Sequence, residues 1–280
     1  MKITALLVKA FTLDPGQGNP AGIVCDAHAL TDRQILVATR KLGFAESAFL
    51  QASNMADFKL RLFAVNGEVN SCVTATLASA HVIMKEKETV HVAFETRLGI
   101  REVFMKDNGL LLMKQPEVKF MSTHTDRTRI AKLLNIPEDN LGTQPIELAS
   151  AGTPKLVIPI KTLQNLLTIN PNLEGIAQYC TEIGGRGFYP FTLETVNPNT
   201  DFHARQFNPL DGIPEDPVTG VAAAALMAYF HKHSIITKNR IIGEQGYIVH
   251  MPGEIIIEQG GNELYVGGYV IEYGKRILEV

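Results

Sequence analysis

Two stretches of this chain read as helices with no side to turn to water. "TATLASAHVI" (74–83) and "TGVAAAALMAYF" (219–230) carry small and apolar residues on nearly every face, so each is expected at the centre of its own core. The segments leading into them match. "RLFAVNGEVNSCVTATLASAHVI" starts at Arg61 and "RQFNPLDGIPEDPVTGVAAAALMA" at Arg205; both open Arg-x-Phe, pass through a glycine-containing loop and run into the apolar helix. In this frame Cys72 and Asp216 fall at the same distance from their arginines, about half a chain apart. A duplication of this kind predicts two similar α/β halves related by a pseudo-twofold axis, with paired loop-to-helix junctions facing one another.

Composition agrees with two cores. A chain of 280 residues with 45% hydrophobic content suits two domains of middling size. The expected halves are 1–118 and 119–280, and the last strand, "RILEV", is expected to return to the first half. A net charge of −3 offers no electrostatic footprint for nucleic acid or an anionic membrane, so the expected partner is an anionic small molecule, with a homodimer as the assembly. Cys25, Cys72 and Cys180 are odd in number and lie outside any CxxC or Cys/His pattern, which argues against a disulfide framework or zinc site and for a reducing cytoplasm. "MKITALLVKAFTLDPG" alternates like a strand, and the run from 221 to 230 is about half a membrane span. A cytoplasmic location follows as the expectation.

Along the chain, "KITALLVKAF" and "DFKLRLFAV" read as strands and "TDRQILVATRKL" as an amphipathic helix capped by Thr31. "TVHVAFETRLGIREVFMKDNGLLLMKQ" reads as a meander turning at Asp107-Asn108-Gly109. "TDRTRIAKLLNI" opens the second half as a helix, followed by strands at "PIELAS", "KLVIPI" and "GFYPFTLET", helices at 162–168 and 173–183, and a final strand cluster from "EIIIEQGG" onward. The glycines of "GEQGYIVHMPGE" and "QGGNELYVGG" lie outside any strand-to-helix phosphate loop and read as hairpin turns. No cofactor or metal is expected.

The buried helices raise a chemical question, because their first N–H groups need partners. If both N-termini open into a cleft, their amides and positive dipole ends suit a carboxylate or a developing oxyanion. The candidate anion-binding residues there are Val73 and Thr74 with Gly220 and Val221. Asp216 has a plainer reading as the helix cap with Pro217 in the first turn, and periodicity alone favours it. Glu46, in "GFAESAF", has aromatic and small neighbours that would desolvate it and push its pKa towards neutrality. The residues alone leave it equally open to an exposed glutamate at a strand start.

At these same positions the chain carries a family pattern. "GNPAGIV" (18–24), "FAESAFL" (44–50), "EVNSCVTATLA" (68–78), "RQFNPLDGIPEDPVTG" (205–220) and "EQG" (244–246) occur in the order and spacing of the PhzF-like phenazine-biosynthesis family, which the chain resembles over nearly its whole length. The resemblance implies an α+β, diaminopimelate epimerase-like fold: two pseudo-symmetric halves, each a curved, mostly antiparallel sheet around a buried central helix. It also implies an isomerase that moves a proton without cofactor or metal, with Glu46 as the proton-transferring acid/base and Asp216 assisting. One carboxyl group that accepts and then donates can serve both halves of such a shift. Asn19, Cys72, Val73, Thr74, Thr219, Gly220 and Val221 are the implied substrate-binding residues.

Departures from the pattern bear on the substrate. Where the family commonly reads Cys-Gly-His-Ala-Thr, this chain has Cys72-Val73-Thr74-Ala75-Thr76; threonine can hydrogen-bond but cannot carry a proton at neutral pH. Gly-Ser becomes Gly220-Val221, and the frequent Gly-Arg after the "EQG" block becomes His250-Met251. These changes imply a smaller or less polar substrate than the family's. Two alternatives stay open: a racemase or epimerase using Cys72 and Asp216 as its two bases, and a non-catalytic binder that kept the scaffold.

Overall fold

The computed structural model describes residues 1–122 and 124–280. The chain forms two compact units, Met1–Lys114 together with Val266–Val280, and Gln115–Tyr265. The first stretch runs β1 (Lys2–Ala10), β2 (Asn19–Val24), α1 (Asp32–Leu42), β3 (Glu46–Gln51), β4 (Phe58–Ala64), β5 (Gly67–Val69), α2 (Val73–Lys87), β6 (His91–Thr96), β7 (Gly99–Met105) and β8 (Leu111–Gln115). The second runs β9 (Lys119–Met121), α3 (Arg127–Leu134), β10 (Glu147–Ser150), β11 (Pro154–Pro159), α4 (Leu163–Leu167), α5 (Leu173–Ile183), β12 (Phe188–Thr192), β13 (Phe202–Ala204), β14 (Gln206–Asn208), β15 (Ile213–Asp216), α6 (Gly220–Lys232), β16 (Arg240–Gln245) and β17 (Gly253–Gly260). The chain then continues through β18 (Glu263–Gly268) to β19 (Val270–Glu279).

The two units repeat one pairing scheme. In the first, β1 lies antiparallel to β2, β2 parallel to β3, β3 antiparallel to β4, and β4 parallel to β6, which forms a hairpin with β7. In the second, β10 lies antiparallel to β11, β11 parallel to β12, β12 antiparallel to β13 and β14, and β13 parallel to β16, which forms a hairpin with β17. Each parallel step needs a crossover: α1 and then α2 supply the two in the first unit, α4 with α5 and then α6 the two in the second. The open edge of the first strand is covered in each case, β1 by β19 and β10 by β9.

The helices divide into two kinds. α1 is amphipathic: Thr31 and Gln34 form a capping box, Gly43 ends the helix at φ 73°, and Ile35, Ala38, Thr39 and Leu42 face inward. They join Ile3, Phe49, Phe63 and Leu278 in an outer core layer. The corresponding layer of the second unit is built from α3 and α5 around Ile130, Leu134, Ile176, Tyr179 and Phe188. α2 and α6 are of the other kind, as their sequences predict: Val73 to Ala80 and Gly220 to Met227 are buried without a break. β1, β2, β3, β6 and β19 pack around α2, and β10, β11 and β17 around α6. Alanines let the surrounding strands come close, while Tyr229 and Phe230 fill the wider end of α6, where the Phe230 ring stands 5.2 Å from Phe191 and 5.7 Å from Phe202. Each large side chain so buried contributes about 2–3 kcal/mol. No helix among the described residues is long and apolar enough to cross a membrane.

Candidate active site

The duplicated Arg-x-Phe motif is a structural element in both units. Arg61 donates through Nε (2.9 Å) and Nη2 (2.8 Å) to Glu68 and lies over the Phe63 ring at 5.1 Å. Arg205 donates through Nε (2.9 Å) and Nη2 (2.7 Å) to Glu215 and lies over the Phe207 ring at 4.9 Å. A planar guanidinium suits both the bidentate carboxylate and the ring face. Each pair ties the strand before the loop to the segment leading into the buried helix.

This register corrects the equivalence of Cys72 with Asp216. Leu62, next to Arg61, pairs with Val69, while Gln206, next to Arg205, pairs with Asp216. The residue capping α2 is Cys72 and the one capping α6 is Thr219. Counted along the fold, Val69 corresponds to Asp216 and Cys72 to Thr219, so the step from strand to helix cap is equal in the two units; the three residues by which the second unit is longer lie in the connection between β14 and β15, ahead of Asp216. The same register places Ser47 opposite Phe63 and Phe188 opposite Phe207, so Glu46 corresponds to Gly187. A side chain at Gly187 would run into Phe207 O and the Asn208 side chain. The two carboxylates, Glu46 and Asp216, therefore occupy different places in the repeat.

The reading of Asp216 as a helix cap is corrected as well. It ends β15, and Pro217 precedes the helix rather than occupying its first turn. Thr219 holds the cap position in extended conformation, and its side chain makes no capping bond. Its hydroxyl turns back instead and donates to Asp216 Oδ2 at 2.5 Å.

Five of the sequence-predicted residues meet at the start of α2. Glu46 begins β3, half-buried between Ala21 of β2 and Ala64 of β4. Its Oε2 accepts a hydrogen bond from the Cys72 thiol. The Cys72 sulfur also accepts from Ala75 N at 3.3 Å, and its carbonyl from Thr76 Oγ1 at 2.7 Å, which fixes the thiol over the helix start. Asn19, at the head of β2, donates from Nδ2 to Thr74 Oγ1 at 3.2 Å; both are buried. Val73 and Thr74 are the first two helical residues, whose amides have no partner within the helix. The arrangement thus sets a carboxylate and a thiol beside the positive end of a buried helix.

Asp216, Thr219, Gly220 and Val221 gather at the start of α6, again buried. The sequence reading missed two neighbours. Gln245, at the end of β16, donates from Nε2 to Asp216 O at 2.6 Å and to Thr219 Oγ1 at 3.3 Å. Tyr189 reaches Gln245 Oε1 with its hydroxyl at 3.4 Å. The only available signal was the "EQG" block: Gly246 adopts φ 92°, and a Cβ there would stand 2.3 Å from Met251 O and 2.9 Å from Pro217 O, so a side chain is excluded where this loop crosses the Asp216 segment. The residue before Gln245 is also fixed. Glu244 receives His203 Nδ1 at 2.7 Å, Val196 N and Asn197 N.

The electrostatics follow these contacts. Burial, with the Asp216 charge adding, pushes the Tyr189 phenol far above the usual tyrosine range, so it stays a donor. Burial alone would raise Glu244, but the hydrogen bonds from His203, Val196 N and Asn197 N outweigh it and hold the carboxyl below its ordinary 4.5. Burial pushes the Cys25 thiol up to about 11 and the Cys180 thiol to about 12, so neither offers a reactive thiolate. Among the described residues no group of three or more His, Cys, Asp or Glu is arranged to hold a metal ion.

Known proteins share this sequence and fold. The family described as phenazine biosynthesis-like protein matches residues 8–268. The "uncharacterized isomerase YfhB" of Bacillus subtilis (strain 168) is 31% identical, over 98% of both chains. A crystal structure of the Bacillus anthracis phenazine biosynthesis protein of the PhzF family superposes with a TM-score of 0.91 at 26% identity, covering 100% of each chain. A hydroxyproline epimerase from Agrobacterium vitis shares the fold alone, with a TM-score of 0.66 at 11% identity over 99% of this chain and 91% of that one.

Proposed function

Since this chain belongs to the phenazine biosynthesis-like protein family, whose relative in Bacillus subtilis is named an isomerase, we propose that it shifts a proton on a small carboxylate-bearing metabolite, using its own side chains as acid and base. The observation that carries the reading is the seating of Glu46: a half-buried carboxylate hydrogen-bonded to the thiol that caps a helix buried from Val73 to Ala80. Glu46 takes the proton from carbon and returns it elsewhere on the same molecule, which one positioned carboxyl can do in two steps. Each unit offers one donor set suited to a carboxylate, the amides of Val73 and Thr74 in the first and those of Gly220 and Val221 in the second. Asp216 is the proton-handling carboxylate of the second unit. Thr74, held by Asn19, lines the start of α2 without carrying a proton, and together with Val73 it favours a compact, weakly polar substrate.

The epimerase reading keeps one observation in its favour, the thiol of Cys72 at the helix cap. Against it, the residue corresponding to Cys72 in the repeat is Thr219, whose hydroxyl is a far weaker base than a thiolate.

A thermal-shift screen of small carboxylic acids against their primary amides tests the recognition step. An acid that stabilises the wild type and Glu46→Gln alike, with its amide inactive, supports carboxylate capture at the helix starts. Equal stabilisation by acid and amide contradicts it.

A further inference from the structure

The hydrogen bonds around Asp216 have a direction, and one atom sets it. The main-chain carbonyl of Asp216 can only accept, so the Gln245 group 2.6 Å from it must be the amide nitrogen. That orientation turns Gln245 Oε1 towards Tyr189, whose hydroxyl must then donate. The second hydrogen of the Gln245 amide goes to Thr219 Oγ1 at 3.3 Å, which leaves the Thr219 proton to be given to Asp216 Oδ2 at 2.5 Å. Tyr189 and Gln245 are 0% and 1% exposed, so water does not compete for these positions, and each donor polarises the next.

We infer that Tyr189, Gln245 and Thr219 form a one-way hydrogen-bond chain that ends on Asp216 Oδ2, holds it as an acceptor and so biases Asp216 towards its ionised form. Thr219 is on this account a positioning residue for the Asp216 carboxylate rather than a substrate contact. The inference rests on the reading of Asp216 as a proton-handling group. The chain ends on a charged acceptor, where a hydrogen bond is strongest, and therefore favours the ionised form of Asp216. Of the charged groups on the adjoining elements, Arg205 pairs with Glu215, His203 with Glu244, and the buried Lys155 donates to Asn208 Oδ1; substitutions at Tyr189 and Thr219 leave all of them in place, so a change in the titration of Asp216 reports the chain.

The titration of Asp216 can be read without any substrate. In full-length protein labelled with carbon-13 at the aspartate carboxyls, with Asp216 assigned by Asp216→Asn, Thr219→Val should raise its midpoint by about one pH unit, the size expected for losing a hydrogen bond to a charged acceptor. Thr219→Ser keeps the hydroxyl and should keep the wild-type midpoint. Tyr189→Phe should raise it by a few tenths of a unit and add nothing once Thr219 is valine. An unmoved midpoint in Thr219→Val overturns the chain, as does a Tyr189→Phe shift that survives in the double variant. Should Thr219→Val fail to fold, the comparison of Tyr189→Phe with wild type decides, and an unchanged midpoint there overturns it. The isomerase reading is tested separately, through Glu46.

Discussion

Replacing Glu215 and Glu68 by alanine makes the same chemical change at two corresponding places in the repeat, and the structure predicts unequal results. Arg205 is 3% exposed, and its other hydrogen bonds go to the neutral carbonyls of Leu166 and Ile169. Removing Glu215 strands a buried guanidinium without a counter-charge, a loss of about 3–5 kcal/mol. Arg61 is 15% exposed and keeps a second carboxylate, Asp32, at 2.7 Å, itself 80% exposed. Removing Glu68 therefore leaves a wet, still-paired cation at a cost of about 1 kcal/mol. With a urea dependence of about 2 kcal/mol per molar, the Glu215→Ala midpoint should fall by roughly 1.5–2.5 M and that of Glu68→Ala by about 0.5 M. The chain contains no tryptophan, so far-ultraviolet circular dichroism is the suitable probe. If each unit melts separately, Glu215→Ala should move the transition of the second. Equal shifts in the two variants would refute the argument from burial.

Two further outcomes follow from local geometry. Gly246→Ala forces φ 92° on an alanine and sets its Cβ against two backbone oxygens; it should cost about 3 kcal/mol or more, whereas Gly43→Ala, at φ 73° with nothing within 4 Å, should cost about 1–2 kcal/mol. Thermal melts of both variants check the difference. Glu244 has its folded pKa held below 4.5, so its contribution to stability is present above 4.5 and disappears as pH falls through the lower folded value. Glu244→Gln should therefore lose less stability than wild type between 4.5 and more acid pH, measured by urea unfolding at each pH.

What could be read from the sequence was whatever periodicity and local chemistry encode. α2 and α6 announced themselves by lacking a polar face, and α1 by its cap and apolar stripe. The Arg-x-Phe repeat was legible because a guanidinium on a ring and a carboxylate is a local arrangement. The length of the connection between β14 and β15 was not, since three additional residues there leave no trace in periodicity; only strand pairing at Val69 and Asp216 places them. For the same reason Asp216 read as a cap, when the extended backbone of Thr219 puts the helix start later. Gln245 and Tyr189 escaped notice because Gln245 reaches Asp216, and Tyr189 reaches Gln245, from strands distant in sequence, and a buried glutamine amide has no pattern of its own. Glu46 was legible as a candidate, but its contact with Cys72 depends on β3 and the start of α2 meeting in space.

In the function proposed above, Glu46 moves a proton on carbon. The most direct measurement is incorporation of solvent deuterium into small carboxylic acids incubated with the protein in heavy water, read by mass spectrometry. Wild type should label at least one acid at a carbon position. Glu46→Gln, folded and still stabilised by the same acid, should label it at least about a hundredfold more slowly. Labelling at the wild-type rate by Glu46→Gln would contradict the account.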